Sequence, residues 1–154
     1  MTQVHELYQR MILDHGRKPR NFRALAGEVW TAEQRNVTCG DRIVIAIEPC
    51  GDRIHDIAFQ GSGCAISMAS ASMMTEAVKG QSRAAALQLR ERVIALLRQG
   101  CDSLPNPALA ERAPLAELGD LAVLGGVARF PVRIGCAVLA WLVLGDALDP
   151  PRAP

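Results

Sequence analysis

Hydrophobic residues near the start of the chain recur with the period of an α-helix. They are spaced i, i+3, i+4, i+7 and i+8, and they are Val4, Leu7, Tyr8, Met11 and Ile12. This pattern predicts an amphipathic first helix that ends near Gly16 and Pro19. The basic stretch at residues 16–23 is then predicted to be a loop. It is either a solvated connector or a docking surface for an acidic partner.

The next part of the chain carries β-branched runs separated by turn residues. Residues 42–48 and 53–60 predict two strands, and the Pro-Cys-Gly-Asp sequence at residues 49–52 predicts the turn that joins them into a hairpin. Residues 24–31 predict a further strand before this hairpin. The sequence therefore indicates a small antiparallel β-structure after the first helix.

The second half of the chain is mainly helical by pattern. The predicted helices cover residues 64–79, residues 82–98, residues 115–124 and a last helix that begins at Pro131. Ser82 is expected to cap the second of these helices, and proline is tolerated at the first position of the last one. The last helix is apolar nearly all round, which is typical of a core helix. Residues 100–114 hold three prolines and predict a loop.

Composition and charge narrow the class of protein. The chain has 154 residues, of which 49% are hydrophobic and 21% charged, and this balance predicts one globular domain. The net charge of +1 and the six aromatic residues favour neither nucleic acid nor an anionic membrane as a partner. The start of the chain lacks a signal-peptide pattern, and the longest apolar run, residues 136–144, is too short to span a membrane. We therefore expect a soluble cytoplasmic protein.

Three chemistry-bearing side chains are expected at one end of the predicted hairpin. With the turn centred between residues 50 and 51, Cys39 lies across from Ser62, so that Cys39, Asp41 and Cys64 converge. Cys64 also opens a helix after Gly-Ser-Gly, where the helix dipole favours a thiolate, the form that binds metal. Cys50 belongs to the opposite end.

Two further residues are candidates, but their spacing leaves the chemistry open. Arg133 lies three residues before Cys136, on the same face of the last helix. No local spacing brings Cys136 to the other cysteines, and a buried, unreactive thiol is the alternative interpretation for each of them. We adopt that interpretation for Cys50 and Cys101.

A hydrolase with Cys64 as nucleophile is a weaker hypothesis because no base can be assigned, and His15 is expected at the surface.

Three blocks of the sequence resemble the iron–sulfur cluster assembly proteins of the U-type scaffold family. They are N-V-T-C-G-D-R at residues 36–42, F-Q-G-S-G-C-A-I-S-M-A-S-A-S at residues 59–72 and R-F-P-V-R-I-G-C-A-V-L-A-W at residues 129–141. The opening segments at residues 7–15 and 19–22 are similar as well. The resemblance covers nearly the whole chain in order.

The resemblance implies an IscU-like α+β fold, a small antiparallel sheet of about three strands covered by helices. It implies one domain over residues 1–154 with a loop-rich insertion near residues 100–127. One branch of the family builds a [2Fe–2S] cluster, and the SUF-type branch, SufU, binds zinc and accepts persulfide sulfur from the cysteine desulfurase SufS. The insertion favours the SUF-type branch. Gly135 stands where the scaffold branch has His and the SUF-type branch commonly has Lys, so it departs from both.

The resemblance also implies the ligands and their roles. Cys39, Asp41, Cys64 and Cys136 would hold Zn²⁺, with iron or a transient [2Fe–2S] cluster as the alternative. Cys39 would accept sulfur from a SufS-type desulfurase, with Cys136 as the next candidate, and Arg133 would stabilise the anionic sulfur. Downstream iron–sulfur assembly proteins are the expected recipients. A carboxylate among thiolates suggests a site whose ligands exchange.

Overall fold

The computed structural model describes residues 2–27, 29–99 and 119–149. In chain order the elements of these residues are α1 (Thr2–Arg17), β1 (Trp30–Asn36), β2 (Asp41–Cys50), β3 (Arg53–Ser62), α2 (Ala65–Val78), α3 (Arg83–Gln99), a 3₁₀ helix (Gly119–Arg129) and α4 (Pro131–Leu148). The strands form an antiparallel sheet in the order β1-β2-β3. α4 packs on β1 and β2, α2 packs on β3, and α1 and α3 pack against α2 and α4 respectively. The α+β prediction is confirmed.

The core lies between the sheet and the helices. Residues of β2 alternate between a buried and a half-buried face, and the buried apolar positions are Ile43, Ile45 and Ile47. α4 is apolar and long enough to cross a membrane by length and composition alone, yet 56% of its most apolar window is buried inside the protein. That burial is typical of the core helix predicted from the sequence.

The first predicted strand is misplaced. Residues 24–31 were expected to be extended in the sheet, but β1 covers Trp30–Asn36. The half-buried positions of β1 are Trp30, Ala32, Gln34 and Asn36. Because they mix apolar and polar residues, β1 shows no apolar alternation. Upstream, Phe22 forms an isolated parallel bridge with Phe59 instead.

The predicted register of the β2–β3 hairpin is also wrong, because the turn lies later than expected and the pairing is irregular near it. Cys50 pairs with Arg53, which moves the turn one residue later, and a register shift after Glu48 adds a further offset. Ser62 therefore pairs with Arg42 rather than lying across from Cys39. Cys39 lies in the loop just before β2.

The helix boundaries agree more closely with the sequence. α2 has Cys64 as its N-cap, and Ser82 accepts a hydrogen bond from the Ala85 N–H (3.1 Å) as the predicted cap of α3. Pro131 is the first residue of α4. The predicted loop at residues 100–114 and most of the predicted insertion lie outside the described residues. The described end of the predicted 115–124 helix is 3₁₀ from Gly119 and continues to Arg129.

Candidate metal centre

The loop between β1 and β2 presents the first two candidate ligands. Cys39 is partly exposed, and Asp41, the first residue of β2, is only 1% exposed. The Asp41 Oδ1 atom accepts the Cys64 N–H at 3.0 Å, whereas Oδ2 is buried without a hydrogen-bond partner among the described residues. A buried carboxylate oxygen without a partner is costly, and metal coordination is one of the arrangements that satisfies it.

Cys64 fixes the start of α2 against Asp41. Its sulfur accepts the Ser67 N–H at 3.5 Å as the N-cap interaction, and its own backbone N–H holds Asp41. A Cβ at Gly63 would collide with Asp41 Oδ1. Glycine at this position therefore lets the backbone before α2 approach the carboxylate.

Cys136 is brought to this loop by the packing of α4. It is fully buried one turn into the helix. The sulfurs of Cys39 and Cys136 and a carboxylate oxygen of Asp41 all lie within 4.8 Å of one another. Cys64 is outside that triad but is joined to it through Asp41. We call the four residues Cys39, Asp41, Cys64 and Cys136 the thiol cluster.

Buried polar contacts set the position of Cys136 by joining α4 to α2. The Trp141 indole N–H donates to Ser70 Oγ at 3.1 Å, and the Ser70 hydroxyl donates to the Ala137 carbonyl at 2.6 Å. Ser70 and Trp141 are both fully buried. The residue that follows Cys136 is therefore tied directly to the helix that Cys64 opens.

Two electrostatic effects, burial and the nearby Arg133 cation, act in opposite directions on the charge of the Cys136 thiol. Burial raises the pKa of the Cys136 thiol well above its ordinary value, and the neighbouring Asp41 carboxylate and Cys39 thiol raise it further. Arg133 is exposed, and its interaction with Cys136, followed by the charges of Cys64 and Cys39, raises the pKa of its guanidinium. The exposed Arg133 guanidinium therefore lies beside the cluster, and it lowers the electrostatic cost of forming thiolates there.

The donor set suits a divalent ion such as zinc. Thiolates are soft ligands that zinc binds in tetrahedral sites, and a carboxylate completes some of those sites. The unpartnered Asp41 Oδ2 provides a free donor atom in the same place. The residues present therefore fit a metal ion, although no single local motif brings them together.

Other sequence-based expectations need correction. Cys50, expected to be a buried thiol, is exposed at the far end of the hairpin, and Cys101 lies outside the described residues. His15, expected at the surface, is buried, and its Nδ1 is hydrogen-bonded to Ser72 Oγ at 2.7 Å. This contact supplies no base to the hypothesis of a Cys64 hydrolase.

Two contacts of the thiol cluster were not singled out from the sequence. Asn36 Nδ2 donates to the Cys136 sulfur at 3.8 Å, and the buried Ser67 lies beside Gly63 and Asp41. The Asn36 side chain accepts the Thr38 N–H two residues on, and this Asx turn has a signal that can be read from the sequence. The contact of Asn36 with Cys136 depends on tertiary packing and has no such signal.

Comparison with known proteins assigns the chain to a family. The sequence profile of the NifU-like N-terminal domain matches residues 7–146. A protein of Streptococcus pyogenes serotype M1 named iron–sulfur cluster assembly scaffold protein IscU is 40% identical over 148 residues, which cover 96% of this chain and 86% of that protein. A protein of Bacillus subtilis (strain 168) named zinc-dependent sulfurtransferase SufU is 41% identical over 138 residues, covering 90% and 86%.

A solved structure shows the same architecture. It is titled a putative iron–sulfur cluster assembly scaffold protein for the SUF system, from Fervidobacterium islandicum AW-1. Its TM-score to this chain is 0.79 at 27% sequence identity, and the alignment covers 94% of this chain and 98% of that one. The IscU-like fold expected from the resemblance is confirmed.

Proposed function

The chain belongs to the NifU-like N-terminal domain family, and we propose that it serves iron–sulfur cluster assembly by accepting sulfur from the persulfide of a cysteine desulfurase. The acceptor is a thiol of a zinc site formed by the thiol cluster. The similarity to proteins named for scaffold and sulfurtransferase roles supports the general assignment to cluster assembly. The sulfur-acceptor role is the finer part of the proposal.

The convergence of Cys39, Asp41 and Cys136 within 4.8 Å carries this proposal. A protein that only buried thiols for packing would not need a carboxylate among them, because a buried charge is expensive without a partner. The carboxylate also has an oxygen with no hydrogen-bond partner in the part of the chain that is described. A metal ion bound there would keep the thiols deprotonated and shield them from oxidation.

Exposure favours Cys39 over Cys136 as the acceptor. Cys39 is partly exposed on a loop, whereas Cys136 is fully buried in α4. The Cys39 thiolate attacks the outer sulfur of the donor persulfide. A new S–S bond forms to Cys39, the S–S bond within the donor breaks, and the donor cysteine leaves as a thiolate, so that no external oxidant or reductant is needed.

The surroundings of Cys39 support docking of a protein donor. Val37 and Val132 are 90% and 71% exposed, and Phe130 is exposed as well. All three are close in sequence to a residue of the thiol cluster, and Arg133 adds an exposed positive charge beside the thiols. Exposed apolar side chains near a charged group are typical of a protein interface. Arg133 would stabilise the anionic sulfur during transfer.

Further parts of the proposal concern the setting of the reaction. The donor is a cysteine desulfurase of the SufS type, and the transferred sulfur passes to downstream iron–sulfur assembly proteins, in the cytoplasm. Asp41 would be the ligand that exchanges most readily, because an oxygen ligand holds zinc less strongly among thiolates. The organisation as one domain over residues 1–154 remains a prediction.

Metal content and absorption of protein purified without oxygen test the proposed site. About one zinc per chain without a visible charge-transfer band supports the sulfur-acceptor role. A Cys39→Ser, Cys136→Ser double variant, checked for folding by circular dichroism, is expected to lose the metal. Folded wild-type protein that holds no metal, or a folded double variant that keeps the metal, would overturn the proposal.

A scaffold that carries a transient [2Fe–2S] cluster is the second candidate. The specific observation in its favour is the 40% identity to a protein named as a scaffold, nearly the same as the identity to the sulfurtransferase. The same experiment separates the two functions. Stoichiometric iron with acid-labile sulfide and a visible charge-transfer band would favour the scaffold.

A further inference from the structure

Asn36 joins the loop that carries Cys39 to the helix that carries Cys136. Its Oδ1 atom accepts the Thr38 N–H at 3.2 Å, and its Nδ2 atom donates to the Cys136 sulfur at 3.8 Å. Its backbone carbonyl also accepts the Gly40 N–H at 2.8 Å. One residue thus closes the turn around Cys39 and contacts the buried Cys136 sulfur.

Gly135 leaves the room for this contact. A Cβ at Gly135 would lie 3.2 Å from Asn36 Nδ2, closer than side-chain carbons normally approach a neighbour. Any larger side chain at this position would have to displace the Asn36 amide or move around it. The absence of a side chain at residue 135 and the position of the Asn36 amide are therefore two parts of one arrangement.

We propose that Asn36 is a positioning residue of the thiol cluster, which holds the Cys39 loop against Cys136, and that Gly135 is required for it. The effect on metal binding rests on the proposed function, whereas the effect on the loop does not. A hydrogen bond to the buried Cys136 sulfur keeps this ligand in place, and the Thr38 contact fixes the turn from which Cys39 is presented. Cys39 can then exchange while Cys136 stays anchored.

The expected size of the effect follows from other metal sites. Removing a residue that hydrogen-bonds a ligand typically weakens metal affinity by about 10- to 100-fold. The Asn36 contact to sulfur is long, so we expect the lower end of that range. The contact with the Thr38 N–H adds an effect that is measurable without any metal.

The chain offers a matched control for Asn36→Ala. Gln34 lies two residues earlier on the same face of β1, and its Nε2 atom donates to Asp146 Oδ2 on α4 at 2.5 Å. Gln34→Ala therefore removes another amide contact between the same strand and the same helix. Zinc affinity of the full-length protein is measured by competition with a chelator. We expect Asn36→Ala to weaken it about tenfold, and Gln34→Ala to leave it unchanged.

A double-mutant cycle tests whether Gly135 acts through Asn36. Gly135→Ala is expected to weaken zinc binding in the wild-type background, because the new Cβ pushes on the amide. In the Asn36→Ala background the amide is gone, so the same substitution should have no further effect. Additive effects of the two substitutions would overturn the assigned role of Gly135.

Amide hydrogen exchange in the metal-free protein provides a second readout. Asn36→Ala is expected to speed exchange at the Thr38 N–H, which loses its acceptor, and Gln34→Ala is not. Wild-type protein that binds no zinc would refute the proposed function and leave this exchange test of Asn36 intact. Unchanged exchange at the Thr38 N–H in a folded Asn36→Ala variant would overturn the proposed hold on the Cys39 loop. Zinc affinity equal to wild type in that variant would overturn the proposed positioning of the metal ligands.

Discussion

At the scale of single residues, the two carboxylate oxygens of Asp41 have different surroundings. Oδ1 accepts the N–H at the start of α2, and Oδ2 has no partner among the described residues. The Oδ1 contact is structural, whereas the Oδ2 atom is available to a ligand. The residue therefore connects the fold of this region to its proposed chemistry.

Asp41→Asn separates these two roles. The asparagine oxygen can still accept the Cys64 N–H, but the charged donor is lost. We expect the protein to fold and its zinc affinity to fall at least about tenfold, since losing a ligand costs no less than losing a residue that supports one. Chelator competition measures the change, and Asp52→Asn in the hairpin turn is the control. Equal zinc affinity in both variants would exclude Asp41 as a ligand.

The raised pKa of Cys136 predicts how the metal-free protein responds to pH. Burial keeps this thiol protonated in the folded state, whereas the unfolded chain releases the proton near the ordinary thiol pKa of 9.0. The contribution of Cys136 to stability is fully present below that pH and is progressively lost as the pH rises above it.

Denaturant unfolding of the metal-free protein at a series of pH values measures this effect. We expect the free energy of unfolding to fall above about pH 9, and Cys136→Ala to reduce that slope even if the substitution lowers stability at every pH. Cys50→Ala, which alters an exposed thiol, should keep the wild-type slope. A slope unchanged in Cys136→Ala would contradict the assignment.

At the scale of elements, α2 and α4 together position the buried part of the thiol cluster. Ser70 on α2 accepts the Trp141 indole N–H and donates to the Ala137 carbonyl. Ser67, one turn earlier on α2, is equally buried but its hydroxyl has no hydrogen-bond partner in the described structure. The two serines therefore provide a matched pair for measuring this contact.

Ser70→Ala leaves the buried Trp141 N–H without an acceptor. We expect a loss of about 1–3 kcal/mol in the free energy of unfolding of the metal-free protein. Ser67→Ala removes a hydroxyl without a partner and is expected to be nearly neutral. Urea unfolding followed by Trp fluorescence measures both. Equal losses in the two variants would show that the Ser70 contacts do not stabilise the packing of α4.

The elements with strong local signals could be predicted from the sequence, and those without them could not. Helix periodicity and local signals such as Ser82 and Pro131 predicted the end of α1, both ends of α2 and α3 and the start of α4 nearly to the residue. β1 was misplaced because its inward face mixes Trp30 with polar residues. The register of the hairpin failed because the irregularity at Pro49 follows from strand pairing, which no local pattern encodes.

At the scale of the whole molecule, the thiol cluster is assembled from three distant parts of the chain. The predicted hairpin brings together Cys39, Asp41 and Cys64 despite its wrong register, since all three are near one end of the β-structure. Cys136 came only from the family resemblance. Its position depends on how α4 packs across the sheet and α2, and its spacing from the other cysteines carries no such information.

The basic loop predicted at residues 16–23 begins in the last turn of α1, and it starts beside the cluster because Gly16 packs against Ala65, the first residue of α2. Arg20 is paired with Asp14, whereas Arg17 and Lys18 are exposed.

If this loop is a docking surface, reversing the charge of Arg17 and Lys18 should weaken binding of a cysteine desulfurase, and added salt should reduce the difference. Surface plasmon resonance measures this effect. Reversal at Arg53 and Arg98 is the control, and equal binding by both double variants would make the loop a simple connector.

Transfer of sulfur from a desulfurase persulfide tests the central claim most directly. Zinc-loaded wild-type protein and Cys39→Ser are each mixed with persulfide-loaded desulfurase, and intact-protein mass spectrometry records the added sulfur. Wild type is expected to gain one sulfur atom on Cys39, and folded, metal-loaded Cys39→Ser to gain none. Undiminished transfer to the Cys39→Ser protein would contradict the account and direct attention to Cys136.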